Sequence, residues 1–160
     1  MIVFAVENFS DAVEEYEKLA FEHWKETDHF KWGHVFNPDK KRYQHYNEIG
    51  MYFLFTVRDE GRLVGDAGIY VTPSMHTSHL MASEDTWYLL PEYRKGLTAA
   101  RFYRFIEKTL ISMGVVEMMV SSKYADISDD TLKGERRKGV GRLMEYLGFK
   151  PIATQYFKEF

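Results

Sequence analysis

The 160-residue chain has no cysteine, only four prolines, and no apolar run near the roughly 20 residues that a membrane helix requires. Without cysteine there is no disulfide, no thiolate zinc site and no cysteine nucleophile, which fits a reducing compartment. The opening MIVFAVENFSDAVEEY has no basic stretch and turns acidic at once, so it does not read as a signal peptide. A large charge excess is missing too. The formal net charge of -3 argues against wholesale nucleic-acid binding. These absences together lead us to expect a cytoplasmic protein with no membrane partner.

What is abundant is apolar and aromatic. Hydrophobic residues make up 45% of the chain and aromatics 16%, ample for one domain spanning residues 1–160 with a well-filled core. Eleven tyrosines and twelve phenylalanines exceed what a minimal core needs, so some are expected to line a cleft.

The patterning predicts a mixed α/β chain. MIVFAV reads as a short strand, and Ser10 as the cap of a helix carrying Val13, Tyr16, Leu19 and Ala20 at helical spacing. A second helix is expected to open at Asn37-Pro38 and run to about Gly50. MYFLFTVRDEGRLVGDAGIYVTP then reads as a hairpin turning on Asp59-Glu60-Gly61. HLMASEDTWYLLP is a third strand, and LTAARFYRFIEKTLISMG a long amphipathic helix stopped by Gly114. VVEMMVSS, nearly all apolar, is expected to be a strand covered on both faces. GRLMEYLGF reads as a short helix and PIATQYFKEF as a last strand.

Two segments compete as an anion cradle. RRKGVG, Arg136–Gly141, fits R-x-x-G-x-G by letter, yet no strand precedes it and the helix behind it is short. YRKGLTA, Tyr93–Ala99, fits the letters less well, but it leaves a strand and enters a long helix. A helix N-terminus holds an anion through outward-pointing N–H groups and the helix dipole, and only stable flanking elements keep those groups in place. Context therefore favours YRKGLTA, with Arg94 and Lys95 as cations, Gly96 for close backbone approach, and Thr98 as hydroxyl donor or cap. The other segment reads as a solvated basic turn.

DTWYLLPEYRKGLTAARFYRFIEK, VVEMMVSS and RLMEYLGFKPIATQYFKEF, in that order, resemble the GNAT superfamily of acyl-CoA N-acyltransferases. The overall character is similar to acyltransferase-like proteins of bacteriophages. The resemblance implies a single-domain mixed central sheet flanked by helices on both faces. It also implies direct transfer of an acetyl group from acetyl-CoA, a co-substrate, to an amine in a ternary complex, without a metal. In those terms Tyr88, Leu89 and Leu90 would supply backbone to the cofactor, and Arg94, Lys95, Gly96, Leu97, Thr98 and Ala99 would cradle its pyrophosphate. Ser121 and Ser122 would bond the pantetheine amides.

The base would be Asp85 or Glu84. Strict strand alternation sends these two to opposite faces, and a bulge would reverse which of them enters the cleft. Both also fit as solvated strand-end acids. The family often carries a tyrosine acid at the position of Met144 here, and Tyr146 lies two residues away on a different helix face. Tyr124 or Tyr156 would serve instead, or no acid at all, since a thiol with pKa near 8.5 leaves as its thiolate.

Other residues have a plainer use. His76 and His79 could act as bases or bind a metal, but a pair of histidines in a loop is more often surface. Phe30, Trp32, His34, Phe36, Tyr43 and Tyr46 could shape an acceptor pocket or simply pack. The acceptor amine belongs to a small molecule or a protein, and the resemblance admits a homodimer. Two alternatives stand beside this reading: a binding protein that has lost catalysis, or a phage enzyme modifying nucleobases.

Overall fold

The computed structural model describes residues 1–27, 35–121 and 140–152. Its elements are β1 (Ile2–Glu7), α1 (Phe9–Thr27), α2 (Lys40–Glu48), β2 (Tyr52–Asp59), β3 (Arg62–Pro73), β4 (Leu80–Leu89), α3 (Thr98–Ser112), β5 (Val115–Met119) and α4 (Val140–Tyr146). One 3-10 turn, Pro91–Tyr93, joins β4 to α3. The strands lie in the order β1-β2-β3-β4-β5, antiparallel except for the parallel pair β4–β5, which α3 connects.

Helices cover both faces of this sheet. On one face, which we call the α1 face, Phe9, Tyr16 and Leu19 pack against Tyr52, Leu54 and Tyr88, with Tyr43 and Tyr46 of α2 alongside. On the other, Phe102, Ile106 and Leu110 of α3 pack against Phe55, Val57, Val64, Ala67, Ile69 and Val71. Strand β3 is thus covered on both sides, and buried residues run unbroken from Leu63 to Ile69. Arg58 fastens α1 to the sheet: it reaches Glu7 of β1 through Nε (2.8 Å) and Glu15 of α1 through Nη1 (2.8 Å). Glu15 also accepts from the Leu63 N–H at 3.2 Å, so this helix is bonded to the hairpin as well as packed on the sheet.

The hairpin turns where expected. Asp59 pairs with Arg62, and the two residues between them both have positive φ (Glu60 48°, Gly61 85°), a turn whose twist matches the strands it joins. Helix starts were displaced from the expected positions. α1 begins at Phe9, so Ser10 lies inside the first turn rather than capping it; Asn8 precedes the helix and its amide donates to Asp11 (3.3 Å). α2 begins at Lys40, two residues past Pro38, because Asp39 provides the cap by accepting from the Arg42 N–H at 3.0 Å. At α2 a side-chain acceptor, Asp39, set the boundary more strongly than the local pattern did.

Strand β5 departs from expectation. Val115 is buried, but Val116 and Met119 are exposed, since among the described residues this strand lies at the sheet's edge. The expected last strand falls almost wholly in residues 153–160, outside the described residues; Pro151 and Ile152 belong to no strand.

Candidate functional site

The site forms where β4 parts from β5. Pairing runs only from Leu80↔Val115 to Ser83↔Met119, and β4 then continues from Glu84 to Leu89 with no described strand on that side. Strands that pair and then separate leave main-chain N–H and C=O groups facing an open wedge. Leu90 N–H is spent on Val64 O at 2.9 Å, so strand alternation turns the Leu89 N–H toward the wedge. Of the three backbone positions expected here, Leu90 has its N–H engaged on β3, and Leu89 turns its N–H to the wedge.

At the mouth of the wedge β4 carries a bulge. Gly68 pairs with Thr86 and Ile69 with Glu84, leaving Asp85 as the extra residue. The bulge breaks the strict alternation and turns Asp85 to the α1 face, the face of Thr86 and Tyr88. There its Oδ2 accepts from the Tyr43 hydroxyl at 2.8 Å. Glu84 goes elsewhere: its Oε2 accepts from the Ser121 N–H at 2.7 Å, tying the end of β5 to β4 where the wedge opens. The two acids thus divide into a strut and a carboxylate facing a different layer. The Ser121 amide is committed to that strut, while Ser122, Tyr124 and Tyr156 lie outside the described residues.

Tyrosines surround Asp85. Tyr43 and Tyr52 have ring centroids 5.1 Å apart, Tyr52 and Tyr70 5.1 Å, and Tyr46 and Tyr70 5.9 Å. Burial, and then the neighbouring Tyr16 and Asp85, hold the Tyr43 hydroxyl far above its usual range, so it stays protonated and keeps donating.

Behind this group lies Asp66, which the sequence hid within an apolar run. It is 1% exposed, and burial pushes its carboxyl up to about 7, with the charge of Asp85 adding to the effect. The Thr86 hydroxyl donates to Asp66 Oδ2 at 2.8 Å and accepts from the Gly68 N–H at 2.9 Å, stitching the bulge to β3. A methyl group at Gly68 would collide with the Tyr52 hydroxyl, so glycine is required by close approach.

The loop after β4 carries the residues expected as an anion cradle. Arg94 follows the 3-10 turn, Gly96 takes φ +75°, and α3 starts at Thr98. Thr98 is therefore the first helical residue, not the cap. Leu97 occupies the cap position, no side chain caps the helix, and no acidic residue stands in its first turn. The first intrahelical bond is Arg101 N–H to Leu97 O (2.8 Å), which leaves the N–H groups of Thr98, Ala99 and Ala100 without helical partners. Lys95, Gly96 and Leu97 are exposed around them. These features together fit a diphosphate: free amides, a dipole end, and a glycine with nothing within 4 Å of the Cβ position.

Arg94 itself is engaged. Its guanidinium makes a two-pronged pair with Glu26 of α1 (2.7 and 2.6 Å), its Nε donates to Leu89 O (2.8 Å), and it sits 5.0 Å from the Tyr88 ring centre. His23 stacks on the same tyrosine at 4.9 Å. The Tyr88 side chain is thus packed on the α1 face, and only its backbone lies along the strand.

The competing RRKGVG segment falls mostly outside the described residues. Its last two residues open α4, a seven-residue helix, whereas α3 has fifteen. In α4 Met144 is buried and Tyr146 is 72% exposed, so the two do not exchange roles. His76 and His79 are exposed between β3 and β4, at the opposite end of β4 from the wedge. Among the described residues no three His, Asp or Glu side chains gather as a metal site. Nor is any described helix long and apolar enough to cross a membrane.

No protein-family model matches the chain, and no curated protein matches it in sequence. Solved structures do match. The ribosomal-protein-alanine N-acetyltransferase of Brucella melitensis biovar Abortus 2308 is 16% identical, with a TM-score of 0.68 over 100% of this chain and 99% of that one. An aminoglycoside acetyltransferase from an uncultured soil metagenomic sample is 11% identical, with a TM-score of 0.74 over 100% and 99%. The enzyme AAC(6')-Iy, in complex with the bisubstrate analogue CoA-S-monomethyl-acetylneamine, is 15% identical, with a TM-score of 0.68 over 99% and 97%. The mixed sheet flanked by helices is the fold of GNAT acetyltransferases, matched along the whole chain.

Proposed function

We propose that this protein is an N-acetyltransferase that moves an acetyl group from acetyl-CoA to an amine by direct transfer in a ternary complex. The observation that carries the reading is the wedge beside β4, with the bulged Asp85 at its mouth and the uncapped start of α3 at its end. The open strand edge suits an extended pantetheine chain with amides to pair, and the free N–H groups of Thr98, Ala99 and Ala100 suit its diphosphate. That AAC(6')-Iy, which shares the fold, was captured with a CoA-linked analogue supports the choice of acetyl donor.

In this reading the acceptor enters from the α1 face between α2 and β4. Asp85, held by the Tyr43 hydroxyl, takes the proton from the amine as its nitrogen bonds to the acetyl carbon. Leu89 N–H steadies the charge that develops on the carbonyl oxygen. The carbon–sulfur bond then breaks with its electrons on sulfur. The thiolate is protonated by water or by Tyr124 or Tyr156, which we keep as candidate acids.

The tyrosine-lined, anionic surroundings of Asp85 favour a small cationic amine; a protein amine is the other substrate within this reading. We place the protein in the cytoplasm, as a single domain that can pair with itself. No bacteriophage protein stands among the neighbours named above, and a bacteriophage source has no support from the fold.

The test is release of CoA thiol from acetyl-CoA with a panel of primary amines. Amine-dependent release that is lost in Asp85→Asn supports transfer. Acetyl-CoA binding without turnover on any amine supports the binding-only alternative.

A further inference from the structure

The Arg94–Glu26 pair shows something about how the diphosphate site is kept. Arg94 is the arginine of the cradle loop, and both of its terminal nitrogens are taken by one carboxylate, that of Glu26 in the last turn of α1. A carboxylate gripping a guanidinium through two oxygens uses the same planar geometry as two phosphoryl oxygens. The hold draws Glu26 below the usual carboxylate range, chiefly through the hydrogen bond to Arg94. Arg94 remains well placed without Glu26, because Nε is anchored on Leu89 O and the guanidinium lies over Tyr88.

The pair is also accessible. The two side chains are 39% and 43% exposed, so water and anions reach it, and screening keeps its strength modest. Next to it lie the uncapped N–H groups of α3 and Lys95, an exposed cation beside a helix start with no acid of its own. The acid paired with the arginine of this cationic loop is thus delivered from α1.

We propose that Glu26 is an internal competitor for the phosphate site: it occupies Arg94 in the free protein and gives it up when the diphosphate of acetyl-CoA binds. This rests on the cofactor reading above. Glu26 then sets cofactor affinity without touching the reacting atoms. It also couples cofactor loading to α1, the helix that covers the acceptor face, since exchange releases the direct tie at that helix's last turn. His23, which stacks on Tyr88, remains as the second contact there.

A clamp and a competitor predict opposite signs. If the pair only braces the fold, removing the carboxylate weakens cofactor binding or leaves it alone. If Glu26 competes, removing it strengthens binding. The experiment is calorimetric titration of acetyl-CoA into the full-length wild type, Glu26→Gln and Arg94→Ala proteins at low ionic strength. We expect Glu26→Gln to bind about three- to fivefold more tightly, the range an exposed ion pair allows, and Arg94→Ala to bind more weakly than wild type. Glu26→Gln binding equal to or weaker than wild type overturns the competitor role. Gain in Glu26→Gln with no loss in Arg94→Ala overturns it too, since the freed partner would not be Arg94. If none of the three proteins binds acetyl-CoA, the cofactor reading itself falls and this inference falls with it.

Discussion

The Tyr43 hydroxyl donates to Asp85 Oδ2 at 2.8 Å, joining α2 to the bulge of β4 across 42 positions of sequence. The contact gives the carboxylate a fixed direction on the α1 face. Glu84, its neighbour in the chain, is bonded instead to the Ser121 N–H.

This difference makes the two acids separable by mutation. Asp85→Asn is expected to lower amine-dependent CoA release by about 100-fold or more, the usual share of a general base. Glu84→Gln keeps an acceptor for Ser121 and should lose less than about tenfold. Equal losses would mean that the base had been assigned to the wrong acid or to neither.

Asp66 predicts a dependence of stability on pH. Burial raises its folded pKa from the ordinary 3.8 to about 7, so the folded state keeps a proton that the unfolded chain has already released. Its contribution to folding is greatest below about pH 4 and is lost as pH climbs through about 7. Asp66→Asn has no such slope. Comparing urea midpoints at pH 4 and pH 8, wild type should lose up to roughly 4 kcal/mol relative to the variant. Parallel losses would show that Asp66 ionises freely.

Much of the fold was legible in sequence, because its signals are local. Glu60-Gly61 announces the hairpin turn, the spacing of Phe102, Ile106 and Leu110 announces α3, and the passage from LLP through YRKG to a long helix announces the junction of β4 with α3. The bulge was not legible as such. It replaces one ladder bond by Gly68 N–H to Thr86 Oγ1, and nothing in SEDTW marks it; alternation alone separates Glu84 from Asp85 without saying which enters the cleft. Asp66 stayed hidden because a single acid in LVGDAGIYV reads as an interruption of a strand, and its burial depends on both covering layers. The Glu26–Arg94 pair spans 68 positions, beyond the reach of any local pattern.

Gly68 tests the packing behind the bulge. Gly68→Ala places a methyl group against the Tyr52 hydroxyl and within 2.9 Å of Thr86 Oγ1. Relief requires Tyr52 or Thr86 to move. We expect a loss of about 1–3 kcal/mol in urea unfolding, together with reduced CoA release as Asp85 is re-aimed. Unchanged stability would mean that this corner of the α1 face is looser than its geometry indicates.

Calorimetric titration of wild type against Gly96→Asp asks whether the loop between β4 and α3 holds acetyl-CoA. Gly96 has φ +75°, so aspartate there strains the loop and sets a negative charge beside the uncapped N–H groups of α3. If it does, wild type binds saturably and the variant binds at least about tenfold more weakly. Equal binding by both proteins would place acetyl-CoA elsewhere, and no binding by wild type would mean that acetyl-CoA is not this protein's co-substrate.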